Sequence, residues 1–265
     1  MALAGLALLF AACGARGAAE EDGQAASAES GEITVFAASS LSESFQELAR
    51  SFERNNPRTH VNLNFASSAA LAVQVNEGAA ADVFAAADQQ TMATVSSRGN
   101  VEGAKDFALN TPVIVVPRDG RAVQSLQDFA KPGVRIVLAA GEVPIGRYSR
   151  EILAKASSPV GLGGDFASSA LANVKSNEPN VRAVLTRVQL GEVDAGIVYL
   201  TDISSAGKDV RAIGIPDQFN VVARYPIAVV SASRRPNTAR AFQSYVLSAE
   251  GQAILARYGF RQPGS

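Results

Sequence analysis

The 265-residue chain has one Cys, one His and no Trp. A single cysteine excludes a disulfide framework within the chain. Together with a single histidine it also excludes a His/Cys metal site. The only imidazole, His60, is the sole candidate base for Ser-His-Asp or Cys-His chemistry. Net charge is nearly absent: 24 Lys+Arg against 25 Asp+Glu leave −1. That balance excludes a strongly basic binder of nucleic acid or of a membrane surface. What is present is 47% AVILMFWYC residues with only 18% charged residues. Such a chain can bury a core and is not disordered overall.

The N-terminus stands apart. Met1 to Gly14 is uncharged and apolar. It is shorter than the roughly 20 residues a spanning helix needs and fits the apolar region of an export signal. Ala11-Ala12-Cys13-Gly14 resembles a bacterial lipobox, in which the Cys is lipidated after cleavage. The expectation is a signal over residues 1–13 with Cys13 as the lipidated mature N-terminus; a plain cleaved signal with an incidental Cys13 is the alternative. Residues 14–31 are rich in Gly, Ala, Ser and Glu and carry no large apolar residue, which reads as a flexible tether. Arg16 faces four acids there, a net of −3, so the body from residue 32 has a net of about +2.

From residue 32 short apolar runs alternate with amphipathic stretches. Ile33 to Ala37, the alternating Val61-Asn62-Leu63-Asn64-Phe65, Asp82 to Ala86, Val113 to Pro117, Val134 to Ala139, Ala195 to Tyr199 and Tyr225 to Val230 read as strands. Phe45, Leu48, Ala49 and Phe52 recur at helical spacing. Helices are also expected over 71–77, 89–98, 125–130, 145–156, 181–190, 237–247 and 250–258, with Gly78, Gly99 and Gly191 as stops. The alternation implies an α/β fold of two lobes, each a mainly parallel sheet flanked by helices. The two β runs near 113 and 225 resemble each other and read as the crossovers. This divides the body into lobe I (32–112 with 226–265) and lobe II (113–225), with a ligand in the crevice between them.

Four helix starts carry the chemistry. Ser39-Ser40-Leu41-Ser42-Glu43 follows the first strand and reads as a capping box of Ser40 with Glu43. Ser67-Ser68 follows the second strand, again with Ser at the cap. Pro144 and Asn180 open the other two helices, Asn180 as a cap. The first N–H groups of a helix lack intrahelical partners and carry about half a positive charge, so such turns are ready anion sites. Two in each half suggest an anion gripped between lobes.

Phe36-Ala37-Ala38-Ser39-Ser40-Leu41, Phe65-Ala66-Ser67-Ser68, Ala81-Asp82-Val83-Phe84, Val143-Pro144-Ile145-Gly146-Arg147-Tyr148, Gly196-Ile197-Val198-Tyr199 and Arg257-Tyr258-Gly259-Phe260 occur in this order. As an ordered set over about residues 32–260 they resemble the molybdate-binding proteins of bacterial ABC importers. The resemblance implies a two-lobed periplasmic-type binding fold holding molybdate or tungstate, with no cofactor and no enzymatic activity. By motif, Ser40 and Ser68 would each offer hydroxyl and backbone N–H, Ile145 and Val181 a backbone N–H, and Tyr199 its hydroxyl. The implied partner is a membrane permease. The implied location is the periplasm or the outer face of the cell membrane, as a monomer touching the membrane only through a lipid anchor. Such donors are neutral, so affinity should vary little with pH.

Two other readings stay open. The same fold could hold sulfate or phosphate. A secreted serine hydrolase would need a general base beside Ser40 or Ser68. Ser205-Ala206-Gly207-Lys208 has Ser-x-x-Lys spacing without its companion motifs and reads as a polar turn. Gly161 to Gly164 reads as a flexible connection, and the scattered Asp82, Asp88, Asp165 and Asp194 as surface or hinge residues rather than a metal cluster.

Overall fold

The computed structural model of the chain describes Met1 and residues 31–264. Cys13, the signal and most of the tether lie outside the described residues. The chain first builds β1 (Gly31–Ala38), a 3-10 turn (Ser39–Leu41), α1 (Ser42–Asn55), β2 (Thr59–Ala66), α2 (Ser68–Asn76), β3 (Val83–Ala85), α3 (Gln89–Ser96) and β4 (Val101–Asn110). Only Thr111 separates β4 from β5 (Pro112–Pro117). A 3-10 stretch (Leu126–Ala130), β6 (Ile136–Ala139), α4 (Pro144–Ala156), α5 (Phe166–Ala172), β7 (Val174–Glu178), α6 (Val181–Gln189), β8 (Ala195–Tyr199), α7 (Leu200–Ser205) and β9 (Val210–Ile213) follow. After residues 214–222 come β10 (Ala223–Val230), α8 (Pro236–Leu247) and α9 (Ala249–Arg257).

The strands form two five-stranded sheets, ordered β2-β1-β3-β10-β4 and β7-β6-β8-β5-β9. The orders correspond position by position. In the first sheet β10 is antiparallel to both neighbours while β1, β2 and β3 are mutually parallel, so four strands run one way and β10 is reversed. In the second sheet β5 is the reversed strand. The two look-alike β runs are therefore not connectors. Each is the reversed strand next to its sheet's edge, and the crossings are Thr111 and residues 214–222. Pro112 pairs with Tyr199 in the second sheet and Ala223 with Asn110 in the first, one and three residues before the expected lobe limits at 113 and 226.

Period-two burial shows why the first sheet is covered on both faces. In β1, Ile33, Val35 and Ala37 join the main core while Phe36 points to a second cluster with Leu71, Val75, Phe84, Met92 and Val95. The apolar stripe of α1 lies on the main-core side. There Phe45 meets Phe107 edge-on at 5.7 Å between centroids and Phe52 meets Phe242 at 5.3 Å. Such ring pairs add about 0.5–1.5 kcal/mol each beyond area burial. Gly78 and Gly191 end α2 and α6 at φ of 84° and 70°, which a side chain rarely adopts.

The sequence pattern missed β4, β7, β9, α5 and α7. The three strands are all sheet edges. Most of the first half of β4 is exposed, only Phe107 to Asn110 forming a buried run, and β7 reads Val-Lys-Ser-Asn-Glu with no apolar alternation. The stretch expected to be helical at 125–130 is a 3-10 segment, with Asp128 accepting from the Ser125 N–H at 3.0 Å.

Candidate functional site

The carboxyl ends of parallel strands in both sheets face one cleft, the usual place for a ligand in open α/β sheets. Ser40 lies in the turn after β1 and Ser68 opens α2 after β2. In the corresponding places of the second sheet, Ile145 lies in the first turn of α4 after β6 and Val181 opens α6 after β7. Tyr199 ends β8. All five predicted residues line a single pocket, together with Ser67, Ala87 and Pro144. All five are buried. The space they close on is small, about 10 Å³.

Local sequence builds each turn. Ser67 is the cap of α2 and its hydroxyl accepts the Ala70 N–H at 3.2 Å. Asn180 caps α6 by accepting the Ala183 N–H at 3.0 Å. Pro144 stands at the first position of α4. Gly146 allows close packing there: a Cβ would fall 1.9 Å from the Ala140 carbonyl oxygen, backbone that cannot yield. The Ser40–Glu43 capping box is not formed. Ser40 sits in the 3-10 turn ahead of α1, and no side chain caps that helix. The Ser40 hydroxyl instead lies 3.0 Å from the Tyr225 hydroxyl, and Glu43 binds Arg182.

The hydroxyls differ in what already holds them. Ser68 Oγ accepts the Ala87 N–H at 2.9 Å, which leaves its own proton to donate. Tyr199 Oη is buried and has no hydrogen-bond partner among the described residues. Burial pushes its phenol well above the usual range, so it remains an O–H.

Charge near the site is compensated. Arg147 of α4 reaches Asp88 and Thr91, at the start of α3 on the other side of the cleft. Asp88 is buried rather than at the surface, and caps α3 by accepting the Thr91 N–H at 2.8 Å. Arg182, next to Val181, donates to the Ser39 carbonyl at 3.2 Å and pairs with Glu43. Two arginines of the second side therefore bridge to the first without lining the pocket. Sequence reasoning missed Asp202, which accepts the Tyr199 N–H at 3.0 Å and lies 3.3 Å from Arg182. An acid three residues after a helix cap was the available signal. Burial pushes its carboxyl up to about 6, against the opposing pull of Arg182.

The rival motifs lie elsewhere. Ser205 donates to the Asp202 carbonyl at 2.8 Å, and Lys208 is exposed in the turn after α7. His60 lies 2.9 Å from Glu53 on an edge strand, and its side chain is 61% exposed. Asp82 accepts the Thr34 N–H at 2.7 Å, and Asp194 pairs with Arg135. Among the described residues, no group of three or more His, Cys, Asp or Glu could hold a metal ion. A larger cavity of about 300 Å³ adjoins Ser40, but Glu43 lines it and its Arg257 is tied to Glu47, which suits an anion poorly.

Residues 33–261 match the family described as bacterial extracellular solute-binding protein. The molybdate-binding protein ModA of Mycobacterium tuberculosis is 36% identical over 233 residues, 87% of this chain and 85% of that protein. The periplasmic molybdate-binding protein of Azotobacter vinelandii superposes with a TM-score of 0.75 at 18% identity, over 87% of this chain and 99% of that one. The sulfate-binding protein SubI of Mycobacterium tuberculosis superposes at 0.79 with 20% identity, over 88% and 87%. At these identities both solved structures speak for the fold alone.

Proposed function

The chain belongs to the family of bacterial extracellular solute-binding proteins, and on that premise we propose that it captures molybdate or tungstate between its two sheets and hands it to the membrane permease of an ABC importer. The observation that carries this reading is the Tyr199 hydroxyl, 1% exposed and without a hydrogen-bond partner among the described residues, in a pocket rimmed by helix starts. Leaving such a group unpaired costs about 1–3 kcal/mol, a penalty that a ligand oxygen removes. Ser40, Ser68, Ile145, Val181 and Tyr199 are the donors in this reading. Fixed neutral donors stabilise a dianion when every oxygen is hydrogen-bonded, and the N-termini of α2, α4 and α6 add favourable dipoles.

Sulfate shares the charge and shape of molybdate, and a likeness of fold cannot choose between them. The 36% identity to a molybdate-binding protein favours molybdate. We read a receptor rather than an enzyme: Ser40 and Ser68 meet a phenol and a backbone N–H, not an imidazole or carboxylate base. In this reading residues 31–111 with 223–264 act as one lobe and 112–222 as the other. Lipidation at Cys13 tethers the receptor to the membrane outside the cytoplasm, and mass spectrometry of membrane-fraction protein tests that anchor. A thermal-shift comparison of molybdate, tungstate, sulfate and phosphate tests the ligand. An oxyanion at 100 times its dissociation constant adds about 2.7 kcal/mol. Stabilisation by phosphate or sulfate in place of molybdate would overturn the assignment.

A further inference from the structure

The Ser40 hydroxyl is useful to an anion only if its proton points into the cleft, and nothing in the turn around it sets that direction. The groups behind it do. Asn110, at the end of β4, accepts the Thr111 N–H on its side-chain oxygen at 2.9 Å. That bond fixes which way the amide faces: its NH₂ is turned inward, to Thr201 Oγ1 at 2.9 Å and to Tyr225 Oη at 3.4 Å. An amide NH₂ only donates. Tyr225 Oη therefore accepts from Asn110, and its own proton is left for Ser40 Oγ, 3.0 Å away. With that lone pair occupied, the Ser40 proton is directed away from Tyr225. Asn110, Tyr225 and Ser40 are all buried, so bulk water does not compete for these bonds. Burial also holds the Tyr225 phenol well above its usual range, so the relay keeps its protons.

We propose that Asn110 and Tyr225 are positioning residues that make Ser40 an obligate donor to the bound oxyanion, although neither lines the pocket. The proposal rests on Ser40 being a ligand donor. It gives Ser40 by a side-chain relay the same polarity that Ser68 receives from the backbone N–H of Ala87. The relay depends on β10 pairing with β4, where Ala223 stands opposite Asn110 and Tyr225 opposite Ala108. A Ser40 free to turn a lone pair toward the anion would repel it for part of the time.

The test is a double-mutant cycle read by calorimetric titration with molybdate on the full chain. Tyr225→Phe keeps the ring and its edge-on packing against Phe107, Tyr199 and Phe260 and deletes only the hydroxyl. It should weaken binding by roughly 2- to 13-fold, the worth of one neutral hydrogen bond. In a Ser40→Ala background the same change should cost nothing, because the group it orients is gone. Asn110→Ala should behave likewise, so the cycle survives if one variant folds poorly. An equal loss from Tyr225→Phe with and without the Ser40 hydroxyl would assign these residues to packing and overturn the proposal. A Ser40→Ala variant that binds molybdate as tightly as the parent would instead overturn the ligand role of Ser40 itself.

Discussion

The two sides of the cleft are built on the same strand order and present different chemistry to it. After β1 and β2 the first side places Ser40 and Ser68, hydroxyls held by the Tyr225 hydroxyl and by the Ala87 N–H. After β6 and β7 the second side places Ile145 and Val181, whose side chains are apolar and buried and whose only polar contribution is backbone. The strands at the third position reverse the pattern. Just after β3, Ala87 spends its N–H on Ser68, while at the end of β8 the Tyr199 hydroxyl has no hydrogen-bond partner among the described residues. A repeated topology therefore fixes where donors stand, and the residue in each turn decides whether side chain or backbone supplies them.

The comparison breaks most sharply on the first side. Ser40→Asp sets a carboxylate against a dianion, and like-charge contact costs several kcal/mol, so molybdate affinity should fall by about 10³-fold or more in calorimetric titration. Affinity within tenfold of the parent would remove Ser40 from the site. Losing one donor to a charged partner costs about 1.5–3 kcal/mol, roughly 10- to 150-fold, and this is the expected loss for Ser68→Ala and for Tyr199→Phe.

The second side should answer differently. Val181→Ala keeps the N–H and should be nearly silent. Val181→Pro deletes the N–H at the first helical position, where proline is tolerated. Asn180 already has the extended backbone a following proline requires, at φ −162° and ψ 172°. The proline variant should lose roughly as much affinity as Ser68→Ala does, about 10- to 150-fold, while its melting temperature stays near the parent's. Equal effects of alanine and proline would mean that the side chain, not the backbone, matters there.

Asp202 sharpens the contrast on pH. Its carboxyl is pushed up from 3.8 to about 6 by burial, so the folded chain binds this proton more tightly than the unfolded chain does. The stabilisation is full below the unfolded value and is lost as pH rises through about 6. Asp202→Asn should therefore match the parent near pH 4 and melt higher above pH 6, by about 5 °C. The expectation of pH-independent affinity needs the same amendment. Arg182 and Glu43 are the charged groups facing Asp202, and molybdate should bind somewhat more tightly below pH 6, where Asp202 is neutral. The smallest effect belongs to Lys208→Ala, an exposed turn residue, which should leave affinity unchanged.

Local residue pattern determined much of this protein. The buried strands, the stripe of α1, the glycine stops and the caps Ser67 and Asn180 are legible because each depends on residues within one helix turn or one strand. Ser40 and Ser68 were legible as serines at helix starts, whereas Ile145, Val181 and Tyr199 were legible only through the ordered motifs of a family resemblance, since an apolar Ile145 or Val181 offers no chemical signal of its own. The edge strands β4, β7 and β9 were illegible because their residues do not alternate apolar with polar as those of the edge strand β2 do. Tertiary structure alone decided the rest. Asn110 and Tyr225 stand 115 positions apart, Arg182 and Glu43 139, and Arg147 and Asp88 59. The direction of a hydroxyl proton or the choice of an arginine's partner is set by whichever group folding brings within about 3 Å, and no local run of residues specifies that distance.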